Sequence, residues 1–529
     1  MAFATTHCVA LDGARGHLID VQADVSSGQP GVVVVGRADA ALREGLDRVR
    51  MAIVNSDLKW PAAQRTTILL SPADLPKGGT HFDLAMAVSV LAATRQVEHA
   101  QVAATAFIGE LTLAGGLRPA VGVLPMVMAA AARGVRRVVV PEPQVGEAQM
   151  VPDMVVIGLR SLAQVVAVLV GELPPEAPPV ASASGTHLVH WRGADRLDDL
   201  DFSDLRGMLD EKYAAEVAAA GGHALMLSGA KGCGKTSLAE RLPTVLPDLT
   251  VEESLELTAL HSLAGALDPA DGMIVRPPFA APHHDASKVS IIGGGQGRVH
   301  PGEISRAHCG VLFLDEFPLF RADVIEGLRQ PMESGEIAVA RLDESVCLPA
   351  RGMVVLAANP CPCGDFHPQA VHNKCQCHER QRRDYRRKVT GPVTDRIDIM
   401  RHLTPVGPHH GTDRFAVPES SAEVRARVEA ARQRQAERYA GCSWRLNSQA
   451  PGPVLTEEWP LSDSARRIVD DAVYSGRLTR RGAARVHRLA WTVADLGGVE
   501  RPGDDEVDVA LRLRTGEPLL LATLERRAG

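Results

Sequence analysis

Residues 229–236 read GAKGCGKT, a glycine-rich loop that follows the apolar run Ala224–Leu227 and precedes a predicted helix. The match to G-x-x-x-x-G-K-T predicts backbone N–H groups that curl around phosphate oxygens at a helix N-terminus. In such a loop Lys235 reaches the β- and γ-phosphates, and the hydroxyl of Thr236 binds Mg²⁺. We therefore expect a nucleotide to contact all eight loop residues: Gly229, Ala230, Lys231, Gly232, Cys233, Gly234, Lys235 and Thr236.

A second apolar run, Val311–Leu314 (VLFL), is predicted to be a buried strand and is followed by two acids. At the tip of this strand, Asp315 can hold the water shell of Mg²⁺. Glu316 can polarise the attacking water as a general base. Together with the loop, this pair predicts that the chain binds and hydrolyses ATP.

Three further polar residues fit the same site. Asn359 follows the predicted strand Met353–Ala357, where its amide can hold the γ-phosphate or the attacking water. Arg396 in GPVTDRID and Arg481 in LTRRGAAR are candidates for stabilising transition-state charge, a role worth about 10³–10⁵ in rate. For each of the three residues, an ordinary surface contact such as an ion pair is the alternative.

The middle of the chain predicts a mostly parallel α/β sheet with its ligand site at the carboxyl edge, because short buried strands alternate there with helices such as Asp204–Ala220. An N-terminal α/β domain is predicted from strands and helices that also alternate: Gly31–Gly36, Asp39–Ala52, Asp83–Thr94 and Arg137–Val140. A small helical C-terminal domain is predicted from four later segments: Ala422–Tyr439, Ser462–Ser475, Thr479–Leu496 and Asp504–Leu513.

We divide the chain into four parts on this pattern. The first domain is placed at 1–172, and a Pro/Ala/Ser-rich linker at 173–190. The ATPase core is placed at 191–405, with a cysteine-rich insert at 361–377, and the helical domain at 406–529.

Four cysteines of the insert form C-x-C…C-x-C, with eleven residues between the pairs: Cys361, Cys363, Cys375 and Cys377. Four thiolates can close a tetrahedral zinc site. The C-x-C spacing is tighter than the usual C-x₂-C, and a nearby histidine can replace a ligand: His367, His372 or His378. The alternative is a set of reduced thiols without metal.

The segment Glu379–Lys388, ERQRRDYRRK, holds six basic residues against two acids. It is a candidate for contacting the phosphates of a nucleic acid, and a solvated helix face with internal ion pairs is the alternative. A predicted β-hairpin, Ile337–Arg341 and Val346–Arg351, is a second candidate for contacting a polymer. His283 and His284 can orient the nucleotide site, contact nucleic acid, or simply pack.

The 529 residues include 57 Lys+Arg, 64 Asp+Glu and nine cysteines, with 45% apolar residues. This composition excludes a wholly disordered chain, and the net charge of −7 requires a local basic patch for any polyanion partner. No apolar run reaches the roughly 18–20 residues that span a bilayer, and the N-terminus lacks a signal-peptide pattern. We expect a cytoplasmic protein without a membrane partner.

Several longer motifs resemble magnesium-chelatase-like AAA+ ATPases. They are GAKGCGKT, APHHDAS (281–287), GGGQGRVHPGEISRAHCGVLFLDEF (293–317), LRQPMESGEI (328–337), AANPCPCG (357–364) and GPVTDRID (391–398). More narrowly, the chain resembles the ComM (YifB) branch, whose N-terminal domain is similar to the proteolytic domain of Lon. That domain is matched by SPADLPKGGTHFDLAMA (71–87) and GELTLAGGLRPAVGVLPMVMAAAARGVRRVVVPEP (109–143).

The resemblance implies a Lon-protease-like (S5 domain 2-type) α+β domain, an AAA+ P-loop αβα core and a C-terminal helical lid. It implies that Asn359 is sensor 1, Arg396 the arginine finger and Arg481 sensor 2. A finger that acts on the neighbouring subunit implies a closed ring, expected to be a hexamer. Two loop positions differ from the usual pattern, Ala230-Lys231 and Cys233, but neither change removes a phosphate-binding group.

The resemblance also implies an ATP-driven motor on DNA, with helicase or branch-migration activity in homologous recombination or natural transformation. The alternative is a chelatase-like ATPase that remodels a protein or metal-inserting partner. A Lon-type protease needs a serine nucleophile and a lysine base. The matching positions offer only Thr80 and no lysine, so we expect a structural or substrate-handling domain without peptidase activity.

Overall fold

A computed structural model of the chain describes residues 2–180, 199–267, 272–295, 299–341, 344–366, 374–389, 393–404, 418–520 and 523–524. Part of the predicted linker, 181–190, lies outside these residues, and its described part, 173–180, has no regular secondary structure. None of the helices within the described ranges is long and apolar enough to cross a membrane.

Eighteen strands are present in the described residues. In chain order they are β1 (Ala2–Asp12), β2 (Arg15–Ser26), β3 (Gly31–Val35), β4 (Arg65–Ser71), β5 (Thr105–Phe107), β6 (Glu110–Leu111), β7 (Leu117–Arg118), β8 (Arg137–Pro141), β9 (Val155–Leu159), β10 (Leu225–Gly229), β11 (Phe279–Ala280), β12 (Gly293–Gly294), β13 (His300–Pro301), β14 (Val311–Leu314), β15 (Glu336–Arg341), β16 (Glu344–Pro349), β17 (Met353–Ala358) and β18 (Ile399–Leu403).

The same residues form nineteen α-helices. In chain order they are α1 (Ala40–Asn55), α2 (Asp83–Ala93), α3 (His99–Ala103), α4 (Val123–Ala132), α5 (Val145–Gln149), α6 (Leu162–Val170), α7 (Leu209–Gly221), α8 (Lys235–Val245), α9 (Val251–Ala264), α10 (Lys288–Ile292), α11 (Glu303–Arg306), α12 (Ala322–Gly327), α13 (Arg329–Ser334), α14 (Glu379–Val389), α15 (Ser421–Arg438), α16 (Gly452–Glu458), α17 (Asp463–Tyr474), α18 (Arg480–Gly497) and α19 (Asp504–Thr515).

The chain forms two compact units. The first comprises Met1–His190, Val251–Ile274 and Ala340–Cys347. The second comprises Trp191–Thr250, Val275–Val339 and Leu348–Gly529, so the C-terminal helices belong to the same unit as the nucleotide loop. The four-part division by sequence stays a prediction.

The first unit is built on a mixed seven-stranded sheet in the order β3-β4-β2-β1-β5-β8-β9. Strands β1, β2 and β4 pair antiparallel, whereas β3 and β4, β1 and β5, β5 and β8, and β8 and β9 pair parallel. Side chains alternate across a strand. Accordingly, Cys8 and Ala10 of β1 enter the hydrophobic cluster of α2, whereas Val9 enters that of α4. Helices therefore cover both faces of this sheet.

The second unit is built on a parallel five-stranded sheet in the order β11-β14-β17-β10-β18. Its central strands are apolar and buried along their length, as parallel strands covered on both faces require. Val311 and Phe313 enter the cluster that contains α7, α8, α15, α17, α18 and α19. Leu312 and Leu314 enter the cluster on the other face, with α10 and α12. The predicted mixed α/β class with parallel strands is confirmed.

Boundaries predicted for a helix and for a strand are wrong. The helix predicted from Asp204 begins at Leu209, because reciprocal side-chain bonds of Asp201 and Asp204 cap a short 3₁₀ turn at Phe202–Asp204. The second strand of the predicted hairpin begins at Glu344 and ends at Pro349, two residues before the predicted positions at both ends. Of the predicted hairpin tip, residues 342–343 lie outside the described part of the chain.

Candidate active site

The nucleotide loop connects the end of β10 to the first turn of α8. Gly232 and Gly234 have φ angles of +79° and +91°, which favour glycine. A Cβ atom on Gly229 would lie 2.5 Å from the carbonyl oxygen of Leu403, so the first glycine permits close packing against β18. The loop can therefore turn sharply and present the N-terminus of α8 to an anion.

Lys235 lies at the start of α8 and is buried, with 7% of its surface exposed. Its ammonium group donates to the carbonyl oxygens of Gly229 and Ala230, at 2.8 and 2.9 Å. The charge is thus held against the backbone of the loop by two neutral acceptors. Phosphate oxygens are stronger, charged acceptors that can replace them.

Thr236 and Asp315 come from distant parts of the sequence and meet in the structure. The hydroxyl of Thr236 donates to Oδ2 of Asp315 at 3.1 Å. A hydroxyl and a carboxylate are hard oxygen donors, which Mg²⁺ prefers. The two residues that were predicted separately as magnesium contacts therefore fit one ion.

Glu316 directly follows Asp315 and has an unusual backbone, with φ +50° and ψ 39° in the left-handed region. This conformation is uncommon for a non-glycine residue, and such strain concentrates at functional sites. The side-chain amide of Asn359 donates to Oε1 of Glu316 at 3.3 Å. Nδ1 of His284 lies 3.9 Å from Oε2 of the same carboxylate. The two proposed water-handling residues are thus in contact, beside a histidine.

Arg396 lies at the end of a short 3₁₀ turn, Thr394–Arg396, and 13% of its side chain is exposed. Its Nη2 lies 2.6 Å from Oε1 of Glu333 on α13. Sequence reasoning missed Glu333, because a single acid in LRQPMESGEI carries no sign of a distant partner. The arginine predicted as a finger is therefore held by a carboxylate of its own chain.

Arg481 is exposed in the first turn of α18, where Thr479 caps the helix by accepting from the N–H of Gly482 at 3.0 Å. One turn further on, Arg485 forms an ion pair with Asp398 and donates to the carbonyl oxygen of Asp395 at 3.1 Å. The helix of Arg481 is therefore fastened to the segment that carries Arg396.

Asp398 is buried between Arg485 and His223. Burial alone would raise the pKa of this carboxyl group. The hydrogen bond with His223 and the charge of Arg485 outweigh burial and hold the pKa well below its usual range. The carboxylate is therefore a fixed negative charge in this junction.

Three family models match the chain over most of its length. The model described as magnesium chelatase, subunit ChlI, matches residues 201–410. The model described as subunit ChlI of Mg-chelatase matches residues 21–144. The model of the magnesium chelatase subunit ChlI C-terminal region matches residues 418–514.

Relatives match nearly the whole chain. An uncharacterized protein of Mycobacterium tuberculosis is 43% identical over 516 residues, which cover 97% of this chain and 99% of the relative. YifB of Escherichia coli is 35% identical over 528 residues, with 99% and 98% covered. Competence protein ComM of Haemophilus influenzae is 36% identical over 524 residues, with 98% and 99% covered. The chain belongs to the ComM/YifB family.

The predicted family resemblance is thereby confirmed. Membership of the ComM/YifB family, with its magnesium-chelatase-like domains, indicates an AAA+ ATPase that uses ATP and Mg²⁺. AAA+ ATPases of this kind oligomerise. The roles of the individual site residues stay predictions.

The four cysteines of the insert come together next to this ATP site. Their sulfur atoms all lie within 4.8 Å of one another: Cys361, Cys363, Cys375 and Cys377. His378, predicted as a substitute ligand, directly precedes the next helix, and its backbone N–H donates to the side-chain oxygen of Gln381 at 3.0 Å. His367 and His372 lie outside the described residues.

The basic segment forms helix α14, which is anchored by an aromatic residue. Tyr385 is buried, which raises the pKa of its hydroxyl to about 12. This hydroxyl accepts from the backbone N–H of Asn359 at 3.3 Å. Lys388 donates to the carbonyl oxygen of Pro318 at 2.9 Å. A lone tyrosine among six basic residues was the available signal for an anchored helix.

In the first unit, the position predicted for a nucleophile is occupied by Thr80, whose hydroxyl donates to Oε2 of Glu110 at 2.5 Å. Arg118 lies 3.8 Å from the other oxygen of this carboxylate. Lys77 is buried and donates to the carbonyl oxygens of Pro72 and Leu75. The threonine therefore contacts an acid, and within the described part of the chain no lysine is seen to bond to it.

Proposed function

We propose that this ComM/YifB-family chain is an ATP-hydrolysing, ring-forming motor that acts on DNA. We place it in strand separation or branch migration during homologous recombination or natural transformation. The observation that carries the ATPase step is the meeting of five predicted residues at one sheet edge: Lys235, Thr236, Asp315, Glu316 and Asn359.

In this mechanism, Lys235 leaves its carbonyl acceptors for the phosphates of ATP. Thr236 and Asp315 hold Mg²⁺, which neutralises charge on the β- and γ-phosphates when bound. Glu316 accepts a proton from the attacking water. Asn359 positions Glu316 through the contact between the amide and the carboxylate.

A ring is required if Arg396 acts on the ATP of a neighbouring subunit. We propose that this guanidinium exchanges Glu333 for the γ-phosphate held by a neighbouring subunit. The ion pair of 2.6 Å supports the idea that the side chain is held ready within its own chain. Arg481, in an exposed first helical turn, is proposed to contact the phosphates as the lid closes. We propose a hexamer as the closed assembly.

The DNA step has two supports. One is similarity to a relative named as a competence protein. The other is α14, on which Arg380, Arg383 and Arg387 are exposed in a chain of negative net charge. One of its two acids, Asp384, lies at the long distances of 3.9 and 4.0 Å from Arg380 and Arg387. Such pairs are weak at an exposed surface, so the arginines can exchange them for phosphates.

A second candidate is a chelatase-like ATPase that remodels a protein partner, and the three chelatase-type family matches favour it. The two candidates differ in what stimulates the ATPase. We expect single-stranded or branched DNA to raise the ATP turnover of the purified chain, and heparin, a polyanion control, to have no such effect. Retention on DNA should weaken steeply as salt rises. If DNA leaves the ATP turnover unchanged and a porphyrin-synthesis partner raises it, the second candidate is supported.

A further inference from the structure

We propose that Cys361, Cys363, Cys375 and Cys377 bind one Zn²⁺ ion, and that this ion fixes the basic helix α14 beside the ATP site. The sulfur of Cys361 lies 3.3 Å from that of Cys363 and 3.6 Å from that of Cys375. The sulfurs of Cys363 and Cys375 are 3.6 Å apart. All nine cysteines of the chain are free thiols.

These separations are slightly shorter than those around a single tetrahedral ion and close enough for one ion to bridge all four sulfur atoms. With Zn–S bonds of about 2.3 Å, the sulfur atoms of a four-thiolate site lie about 3.8 Å apart. An iron–sulfur cluster spreads its thiolates over several metal atoms and would separate them further. Soft thiolates also exclude Mg²⁺ and Ca²⁺, which prefer oxygen. The cysteines are therefore arranged for one zinc ion.

The protein around the cysteines supplies little other support. Residues 361–366 and 374–377 contain no helix or strand. Cys361 is buried, but Cys363 is exposed and Cys375 and Cys377 are half-buried. A short segment without a core of its own gains its fixed structure from a metal cross-link. Zinc here is thus a structural ion with a closed set of four ligands.

The first pair of cysteines is joined to the ATP site. Cys361 lies two residues after Asn359, the residue that contacts Glu316. Directly after the first pair, Gly364 turns with φ +82°, and a Cβ atom there would lie 3.5 Å from Lys231 Cβ and 3.8 Å from Asn359 Cγ. The cysteine turn therefore packs directly against the nucleotide loop.

The second pair is joined to the basic helix, since Cys377 is followed after one residue by α14. Phe366, from the first cysteine turn, lies under two arginines of this helix. The guanidinium carbons of Arg382 and Arg386 are 4.5 and 5.3 Å from the centre of its ring. These cation–π contacts connect the segment of the first cysteine pair to α14, which follows the second pair. One ion bound by all four cysteines would connect the two cysteine pairs and thereby hold α14 in place.

Metal analysis of the purified full-length chain tests the site without measuring its activity. We expect about one zinc ion per chain. Cys361→Ser/Cys375→Ser should lose it, whereas the matched control Cys347→Ser/Cys442→Ser, which removes two thiols outside the cluster, should keep it. Zinc-free wild-type protein purified under reducing conditions with zinc supplied, iron in place of zinc, or zinc retained by the first double variant would each overturn the proposal.

Cobalt substitution tests the ligand set in wild-type protein, in case the serine variant fails to fold. Co²⁺ exchanged for the native ion should give the intense sulfur-to-metal absorption of a four-thiolate tetrahedral site. Cys377→His should retain the ion and shift this spectrum. An octahedral Co²⁺ spectrum, or a spectrum unchanged in Cys377→His, would contradict the assignment.

Limited tryptic digestion tests the link to α14, which contains several cleavage sites. Removing the ion with a chelator should speed cleavage within Glu379–Val389 several-fold, while cleavage elsewhere is unchanged. The Cys347→Ser/Cys442→Ser variant should respond as wild type does. Equal protection of the helix with and without the ion would overturn this part of the proposal. None of these readouts depends on ATP hydrolysis or DNA binding, so they fail or succeed independently of the proposed function.

Discussion

Glu316 combines a left-handed backbone with a carboxylate that contacts Asn359. The backbone conformation turns the chain sharply after β14, so that the acid side chain lies at the sheet edge beside Asp315. A carboxylate and an amide in contact can hold a water molecule between them and a bound phosphate. The placement and the backbone strain both support the proposal that Glu316 is the general base.

Replacing Glu316 by glutamine removes the base but keeps the size and the hydrogen bond with Asn359. We expect ATP to bind as in wild type and the turnover number to fall about 10²–10⁴-fold, since that is what general-base catalysis contributes. Equilibrium binding of a fluorescent ATP analogue and single-turnover hydrolysis measure the two effects. Glu326→Gln, on α12, is the control. A glutamine variant that hydrolyses ATP at the wild-type rate would disprove the assignment.

The residues predicted for the ATP site lie in segments whose structure depends mainly on the local sequence. The glycines of GAKGCGKT are enough to predict a turn. The apolar run before Asp315 is enough to predict a buried strand that ends at the two acids. The sequence did not predict Glu333 as the partner of Arg396, or Tyr385 as the anchor beneath Asn359. Those contacts depend on how separate elements pack, and a short polar motif does not encode the partner it meets.

At the scale of elements, α14 is a basic helix held by one face. Tyr385 and Lys388 attach it near the ATP site, while Arg380, Arg383 and Arg387 remain exposed. A nucleic acid on the exposed face would contact the same helix whose buried Tyr385 is hydrogen-bonded to Asn359. We propose that this helix couples phosphate binding to ATP hydrolysis.

Removing the exposed charges tests this face. Arg380→Ala/Arg383→Ala/Arg387→Ala should weaken binding to single-stranded DNA and reduce the slope of log affinity against log salt by about 0.7 for each phosphate that the variant no longer neutralises. ATP binding should be unchanged. The matched control removes three exposed arginines elsewhere: Arg466→Ala/Arg467→Ala/Arg477→Ala. An unchanged salt slope in the α14 variant would show that this helix does not contact DNA.

The junction between α18 and β18 depends on the buried charge of Asp398. Its pKa in the folded chain lies below the value of about 3.9 in the unfolded chain, so the ionised form stabilises the fold above that pH and the stabilisation is lost as pH falls further. Asp398→Asn should lower the free energy of unfolding at pH 7 by about 3–5 kcal/mol, as expected for breaking a buried ion pair.

Urea unfolding between pH 7 and pH 3.5 measures this effect. The difference between wild type and Asp398→Asn should shrink below about pH 4, where the carboxylate of the unfolded chain begins to protonate while that of the folded chain stays ionised. Asp470→Asn, at an exposed position on α17, should change stability little at any pH. A constant difference across the whole range would contradict a charged Asp398.

For the molecule as a whole, the sequence predicted parallel strands with helices around them. Strands that are buried on both faces are continuously apolar in sequence, and this pattern is visible without the structure. The sequence did not predict that α9, which follows the nucleotide loop in sequence, belongs to the first unit. There α9 packs on α4, and Ser262 donates to Glu147 at 2.5 Å. This contact joins residues more than a hundred positions apart, and the hydrophobic pattern of neither helix indicates its partner.

Mixing two inactive variants tests whether subunits share their active sites. Arg396→Ala lacks the finger and should lose about 10³–10⁵ in rate. Lys235→Ala lacks the main phosphate contact and should not bind ATP. In a mixture, a finger from the lysine variant can complete an ATP site of the arginine variant, so some hydrolysis should return. A mixture that stays inactive at saturating ATP, although both proteins co-assemble, would argue against a finger acting between subunits.

The most direct test of an ATP-driven DNA motor is ATP-dependent release of a labelled strand from branched DNA by the purified chain. Wild-type protein with ATP and Mg²⁺ should release the strand, and Glu316→Gln should bind the same DNA without releasing it. Hydrolysis by wild type with no strand release, on any branched or partly single-stranded DNA, would contradict a DNA motor. Release that is equally fast without ATP would contradict a role for the nucleotide site.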